Sequence, residues 1–449
     1  MSKEHFIDTV KAVSPNPANA VTYNKWKILL LLFLANMLNF FDRTIPAIII
    51  EPLRFEFNLS DLQLGFVAAS FTLVYAIAGL PFGRLADKGS RKKIIGWGLM
   101  AWSGFTALNA AAWNFVSFFL VRMGVGIGEA SYAPAANSLI GDLFPAEKRA
   151  RAMGIFMLGL PLGLILAFFT VGAIAEAFDS WRAPFIVAAI PGFLLAIFFF
   201  IIKEPPRGAS EGEHYVAKTV HQPIRTLLKI KTLRWIILSG LSVNFAVYAG
   251  NSFFVPLFQR YFGLSLTQSA VTTGCIVGIT GLIGLTVGGV IADKIHQRFA
   301  RGRLVFGAIC LLISAISIAI ALYLGNDSLT AVVILLSVGW LASYNYYTTV
   351  YPAIQDVVEP NLRATAMALY FACMYILGGA FGPIVVGALS DHFSQAAMLA
   401  SNTMIMTEHF KAIGLHSALF VIPVAFFFTA IFIYLSSRTF IKDAQRSNS

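Results

Sequence analysis

The sequence fits an all-α membrane protein: twelve transmembrane helices in two pseudo-symmetric bundles of six. Three observations carry that expectation. The 449 residues are 57% hydrophobic and only 12% charged, against about 45–50% apolar and about 25% charged in a soluble domain. The apolar residues gather into long runs, and about 20 residues suffice for a helix to cross the hydrocarbon. The basic residues between those runs fall almost wholly to one side, the mark of loops that face the cytoplasm. Barrel strands would instead give alternating segments of about 10 residues.

Taken in order, span 1 covers 26–50 and carries Asn36, Asn39, Asp42 and Arg43. Span 2 (62–82) runs into the polar segment Gly83–Lys93, which holds Asp87 and Arg91. Span 3 is 94–113. Span 4 (116–142) holds Arg122, Glu129, Ser131, Tyr132 and Asn137 and ends at Asp142. Spans 5 (149–174) and 6 (182–202) follow, and Pro205 and Pro206 stop the sixth, since proline cannot continue a helix. The stretch 203–231 reads as a cytoplasmic linker, with a short basic amphipathic helix expected over 224–233. It divides an N-terminal bundle (1–202) from a C-terminal one (232–449). Span 7 (233–257) bears Asn244, Tyr248 and Asn251. Spans 8 (266–292) and 9 (304–324) follow. Span 10 (328–352) contains Ser343-Tyr344-Asn345-Tyr346-Tyr347. Spans 11 (363–389) and 12 (413–437) complete the set.

This composition excludes a disordered chain, a disulfide scaffold and a conventional soluble enzyme. Cys275, Cys310 and Cys373 all sit in apolar runs, so neither a disulfide framework nor a metal site is expected. The net charge of +11 would suggest nucleic acid in a soluble protein. Placing the charges removes that reading. With the N-terminus inside, 27 of the 33 Lys and Arg lie on the inner side and four (Arg54, Arg182, Arg260, Lys411) on the outer. The remaining two, Arg43 and Arg122, fall within spans. Both termini are therefore expected in the cytoplasm, and the plasma (inner) membrane is the expected location.

The halves repeat one another. GRLADK (Gly83–Lys88) follows span 2 and GVIADK (Gly289–Lys294) follows span 8. PAEKRARAMG (Pro145–Gly154) precedes span 5 and PNLRATAMA (Pro360–Ala368) precedes span 11. Ala130-Ser131-Tyr132 in span 4 matches Ala342-Ser343-Tyr344 in span 10. Three matches in register indicate an internal duplication. Duplicated bundles with a midplane site between them are the architecture of alternating-access transporters.

With GRLADKGSRKK (Gly83–Lys93) between spans 2 and 3 and Arg122-Met123-Gly124-Val125-Gly126 in span 4, the chain resembles the major facilitator superfamily. It departs at Ser90, where the family has a second glycine. Gly154, Gly159, Pro161 and Gly163 match part of the family's antiporter motif. Within the superfamily, NFFDRTIPA (Asn39–Ala47), the stretch GIGEASYAPAANSLIGDLFPAEKRARAMGIF (Gly126–Phe156), LPLG (Leu160–Gly163) and KEPPRG (Lys203–Gly208) are similar to the Spinster-like branch. Members of that branch move lysophospholipids and sphingosine phosphate, so the resemblance implies a lysolipid-like substrate.

Charges deep in a bilayer are costly and should be paired and functional. Asp42, Arg43, Arg122 and Glu129 form such a set. Glu129 is the expected proton-coupling acid, with Asp42 beside it: burial opposes its charge, while a nearby arginine supports it. A second set, Gly83, Asp87, Arg91 and Asp142 with Asp293 and Asp356 in the matching places, reads as a cytoplasmic latch. Asp87 in particular suits the N-terminus of span 11, where exposed N–H groups favour an anion. The polar faces of spans 1, 4, 7 and 10 suggest a shared cavity lined by Asn36, Asn39, Ser131, Tyr132, Asn137, Asn244, Tyr248, Asn251, Tyr344, Asn345 and Tyr347.

The chain has no phosphate-binding GxxxxGK[ST] loop and no nucleophile–base spacing. The expectation is therefore a secondary transporter, not an enzyme, needing no cofactor and acting as a monomer. Its partners are the lipid bilayer, protons and a small amphipathic or anionic substrate. Two alternatives stay open: a proton symporter of sugar acids or other small organic anions, and a membrane receptor or regulator that no longer transports.

Overall fold

The computed structural model describes residues 24–206, 223–299, 301–359 and 362–447, and all regular structure among them is helical. Twelve rods run through the described residues. Spans 1 to 3 are Lys25–Ile48, Asp61–Lys88 and Arg91–Asn109. Span 4 is Phe115–Ala130 continued by Tyr132–Leu143, span 5 is Ala146–Met157 continued by Gly159–Ala177, and span 6 is Ala183–Ile201. Span 7 is Lys231–Arg260. Span 8 comprises Leu266–Gly274, a π-helical turn at Cys275–Ile279, and Thr280–Arg298. Spans 9 and 10 are Gly302–Leu324 and Leu329–Val357. Span 11 is Arg363–Cys373, a second π turn at Met374–Gly379, and Phe381–Ala400. Span 12 is Glu408–Ala418 followed by Val421–Ser447.

Ten of these helices are long and apolar enough to cross a membrane. Spans 3 and 4 fall outside that measure for visible reasons. Arg91, Lys92 and Lys93 open span 3, and span 4 carries Arg122 and Glu129 inside its apolar stretch. Span 4 also breaks at Ser131, whose hydroxyl bonds back to the Gly128 carbonyl at 2.8 Å. Such back-bonding disturbs the helical ladder. The expected amphipathic helix at 224–233 is shorter than read. Helix covers only Pro223–Leu227, and Ile230 already caps span 7.

The first and last described residues, Asn24 and Ser447, lie at one end of the bundle, here the terminus end; the opposite end is the far end. Several far-end helix starts are fixed by capping boxes. Ser60 with Gln63, Asn114 with Ser117, and Ser265 with Gln268 each exchange side-chain and backbone hydrogen bonds, satisfying N–H groups that the first turn leaves without partners.

The first six spans and the last six meet along two seams, span 2 against span 11 and span 5 against span 8. Glycines make the far-end part of these seams tight. A Cβ at Gly65 would lie 2.8 Å from the Pro383 carbonyl carbon, and closer still to its oxygen; one at Gly387 would lie 2.7 Å from the Asp61 carbonyl carbon; one at Gly172 would lie 3.0 Å from the Thr267 Cα. Toward the terminus end the same helices part, and a Cβ at Gly79, Gly83 or Gly154 would meet nothing within 4 Å. The molecule is closed at the far end and open at the terminus end.

A candidate transport site between the two sets of helices

Span 1 crosses the middle of the bundle beside span 4, and there Arg43 Nε donates to Glu129 Oε2 at 2.7 Å. The Glu129 side chain is fully buried, whereas Arg43 keeps 15% of its surface. Glu129 stands two residues before the break at Ser131. Asp42, adjacent to Arg43, is also fully buried; its Oδ2 accepts from Thr106 Oγ1 at a long 3.4 Å. Arg122 precedes Glu129 by about two turns on the same helix face and interacts electrostatically with the carboxylates of Glu129 and Asp42.

Among the described residues, Glu129 Oε1, Asp42 Oδ1, and Nε and Nη1 of Arg122 find no hydrogen-bond partner. Removing ions from water costs several kcal/mol each unless geometry and additional hydrogen bonds offset it. Here the offset comes partly from rings. The Arg43 guanidinium lies 4.3 Å from the Tyr75 ring, 4.7 Å from Phe71 and 5.1 Å from Phe40, and Arg122 lies 5.5 Å from Phe71. A cation over an aromatic face gains about 0.5–2 kcal/mol.

The last six spans supply a tyrosine wall. Tyr346 and Tyr370 share a hydroxyl–hydroxyl bond of 2.9 Å, and Tyr346 reaches Ser239 at 3.0 Å. Tyr347 packs on Tyr344, Tyr346 and Tyr351, while Tyr248 meets Tyr375 edge to face at 6.2 Å. Tyr248 and Tyr375 also feel the charge of Arg43, which links this wall to the ion pair.

Many other residues expected in a cavity spend their polar atoms on backbone. Asn36 donates to the Phe156 carbonyl of span 5 at 2.9 Å, and Tyr132 bonds the Leu32 carbonyl. Asn244 donates to Met374 O at 3.1 Å and Tyr344 to Val277 O at 3.0 Å. Those two carbonyls belong to the π turns, where the helical ladder is disturbed. Asn345 bonds its own helix at Leu341 and Ala342, as Ser131 does. Asn137 is exposed. Asn39 is buried beside Glu129, and Asn251 Oδ1 finds no partner among the described residues.

At the terminus end the charged residues cluster around Arg91, which is 1% exposed. It pairs with Asp142 and with Glu204 at 2.7 Å, and donates to Ser138 Oγ at 3.2 Å and Pro205 O at 2.8 Å. Burial opposes the charge of Glu204, but hydrogen bonds from Ser90 Oγ, the Arg91 guanidinium and the N–H groups of Arg91 and Lys92 hold its carboxyl below the ordinary value of 4.5. Arg303 bonds Asp293 at 2.9 Å and Asp356 at 3.5 Å. Gly83 is open to space, and the side chain of Asp87 lies outside the described residues. Arg91 thus ties spans 3 and 4 to the segment after span 6, and Arg303 makes a separate cluster among spans 8 to 10.

The far end holds a network that inspection of the sequence passed over. Arg260 of span 7 bonds Glu51 at 2.8 Å through Nε and Asp61 of span 2 at 2.8 Å. Asp391 of span 11 accepts the N–H groups of Asp61 and Leu62 at 3.0 and 2.9 Å, and Ser390 donates to Asp61 at 2.5 Å. Arg54 bonds Glu408 at 2.6 Å, and Thr267 of span 8 donates to Glu176 of span 5 at 2.6 Å. Each of these joins the first six spans to the last six. A signal was present: only four basic residues fall on this side, and all four (Arg54, Arg182, Arg260, Lys411) are in ion pairs.

Helical rods closed at one end around a buried ion pair define a multi-pass membrane transporter of small substrates. The chain belongs to the Major Facilitator Superfamily, whose description matches residues 32–383, and it is a transporter of that family rather than an enzyme. It is 28% identical over 403 residues to Protein spinster of Drosophila melanogaster, a match covering 87% of this chain and 66% of that one. It is 29% identical over 402 residues to the Hexuronate transporter of Bacillus subtilis, covering 86% and 93%. Its structure superimposes with a TM-score of 0.86, at 27% identity and 93% and 98% coverage, on a bacterial homologue of the human lysosomal transporter Spinster in an inward-facing, unoccupied conformation.

Proposed function

We propose that this protein is a proton-coupled secondary transporter that carries an amphipathic, lysolipid-like anion by alternating access. The observation that carries the reading is the Arg43–Glu129 pair, a fully buried acid bonded to the most exposed of four central charges. A proton on Glu129 removes the charge that engages Arg43 Nε. The guanidinium is then free to take a phosphate or carboxylate, for which its planar fork is suited. Loss of the proton returns Arg43 to Glu129 and releases the anion. The tyrosine wall, apolar in body and polar at its tips, accommodates the rest of an amphipathic molecule.

The bias of basic residues puts the terminus end in the cytoplasm, so the far-end closure described above corresponds to an inward-open state. The Arg91 cluster and Arg303 cluster, with Asp87, act as the latch in the opposite state. The two six-helix halves, joined by the linker around 203–231, rock about the site, and a single chain contains every group required. The plasma (inner) membrane is the proposed location.

A specific observation favours a second reading, symport of a sugar acid: the similarity to the Hexuronate transporter. Counterflow in proteoliposomes with a lysolipid and a hexuronate separates the two. Glu129→Gln tests the coupling: counterflow should persist while uptake driven by a pH gradient disappears. Gradient-driven uptake at the unmodified rate would remove Glu129 from the mechanism.

A further inference from the structure

On the outer face of the last six spans, away from the central site, a cleft of about 600 Å³ opens between the terminus-end parts of spans 8, 9 and 12. That volume lies within the range of about 300–1,000 Å³ typical of small-molecule sites. Its floor and walls are apolar: Ile295 and Phe299 from the end of span 8, Val305, Phe306 and Ile309 from span 9, and the Tyr434 ring from span 12. Two cations stand in the lining, Arg301 at the start of span 9 and Arg438 in span 12. Both are exposed.

We propose that this cleft binds an anionic phospholipid, with one acyl chain in the apolar groove and the phosphate between Arg301 and Arg438. Charge complementarity selects this occupant. Among the described residues no Asp or Glu lines the cleft, and the acids nearest in sequence are engaged elsewhere. Asp293 is bonded to Arg303, and Asp443 accepts from the N–H and hydroxyl of Thr232 at 2.8 and 2.7 Å. Arg438 is held in position by its own helix. Its Nη2 donates to the Tyr434 hydroxyl at 2.7 Å, and its guanidinium lies 5.1 Å from the Tyr434 ring. Height supports the same occupant. Span 9 begins at Gly302, directly after Arg301, and the long uncharged stretch of span 12 ends at Ser437, directly before Arg438. Both cations therefore sit where hydrocarbon gives way to headgroups. A tyrosine at this level, apolar in body and wet at its tip, suits the same boundary. A zwitterionic lipid fits less well, because its ammonium would approach two arginines without an acid to receive it.

The full chain, purified in detergent, can be loaded with phosphatidylglycerol or phosphatidylcholine of identical chains and the retained lipid read by native mass spectrometry. Phosphatidylglycerol should be retained preferentially, and each of Arg301→Gln and Arg438→Gln should weaken that preference about fivefold. Val305→Trp, which fills the groove without touching the charges, should lower retention of both lipids; if that variant does not fold, the two arginine variants still decide. Equal retention of the two lipids by the unmodified protein, or a preference unchanged in both arginine variants, overturns the proposal. So does displacement of the lipid by millimolar inorganic phosphate alone, which would make the site a phosphate site. Phosphate without effect supports the lipid. The site lies apart from Arg43 and Glu129, so neither outcome bears on the transport reading.

Discussion

Arg43 is held by three rings and one carboxylate. Lysine keeps the charge but not the planar fork. Arg43→Lys should therefore leave the protein folded and weaken anion binding about tenfold, the equivalent of one lost charge-assisted hydrogen bond; a binding titration in detergent at fixed pH measures it. Unchanged affinity would place the anion elsewhere. These four charges were legible in sequence because an ion in hydrocarbon is too costly to keep without a role. The uses of Asn36, Asn244 and Tyr344 were not. Polarity in a span is visible from residue type, but the partner is not, and here the partners are carbonyls of Phe156, Met374 and Val277. For Asn244 and Tyr344 the reason lies in the π turns, which no periodicity reveals because five or six residues disappear in the average over a whole span.

At the scale of helices, the seam between spans 2 and 11 makes a sharp prediction. Gly65 and Gly79 lie on the same helix, fourteen residues apart, one against the Pro383 carbonyl and the other open. A methyl at Gly65 requires the two helices to separate at the far end. Gly65→Ala should raise labelling of cysteines placed in the far-end half of the cavity from that side of the membrane, whereas Gly79→Ala should leave labelling as it was. Equal labelling in both variants would mean that the seam does not set the conformation. A second helix-level prediction concerns Glu204, which ties the start of span 3 to the end of span 6. Its carboxyl titrates below 4.5 in the folded protein. It therefore adds stability that is fully present above that value and is lost as pH falls through the lowered one. The melting temperature should drop over that acid range, and Glu204→Gln should flatten the drop. A profile identical in both proteins would show that the contact adds nothing. The apolar runs gave the twelve rods but not the breaks at Ser131 and Leu158, since these depend on local backbone bonding rather than on hydropathy.

Across the whole molecule, closure at the far end rests on Arg260, which is 3% exposed and shared between Glu51 and Asp61. Removing one partner from a buried ionic cluster costs about 3–5 kcal/mol because the others are left uncompensated. Arg260→Gln should lower the melting temperature and shift the population toward far-end opening, and the same cysteine labelling reports it. Loss of stability without a change in labelling would make Arg260 a brace rather than a gate. If Glu129 takes up the proton as proposed, the four central charges, all ionised before it binds, also fix how the molecule responds to voltage. Two carboxylates and two guanidiniums sum to zero, so one added proton with one monoanionic solute leaves the loaded carrier neutral. Its reorientation should then be indifferent to membrane potential, whereas a dianion would make the same step electrogenic by about 2.3 kcal/mol per 100 mV.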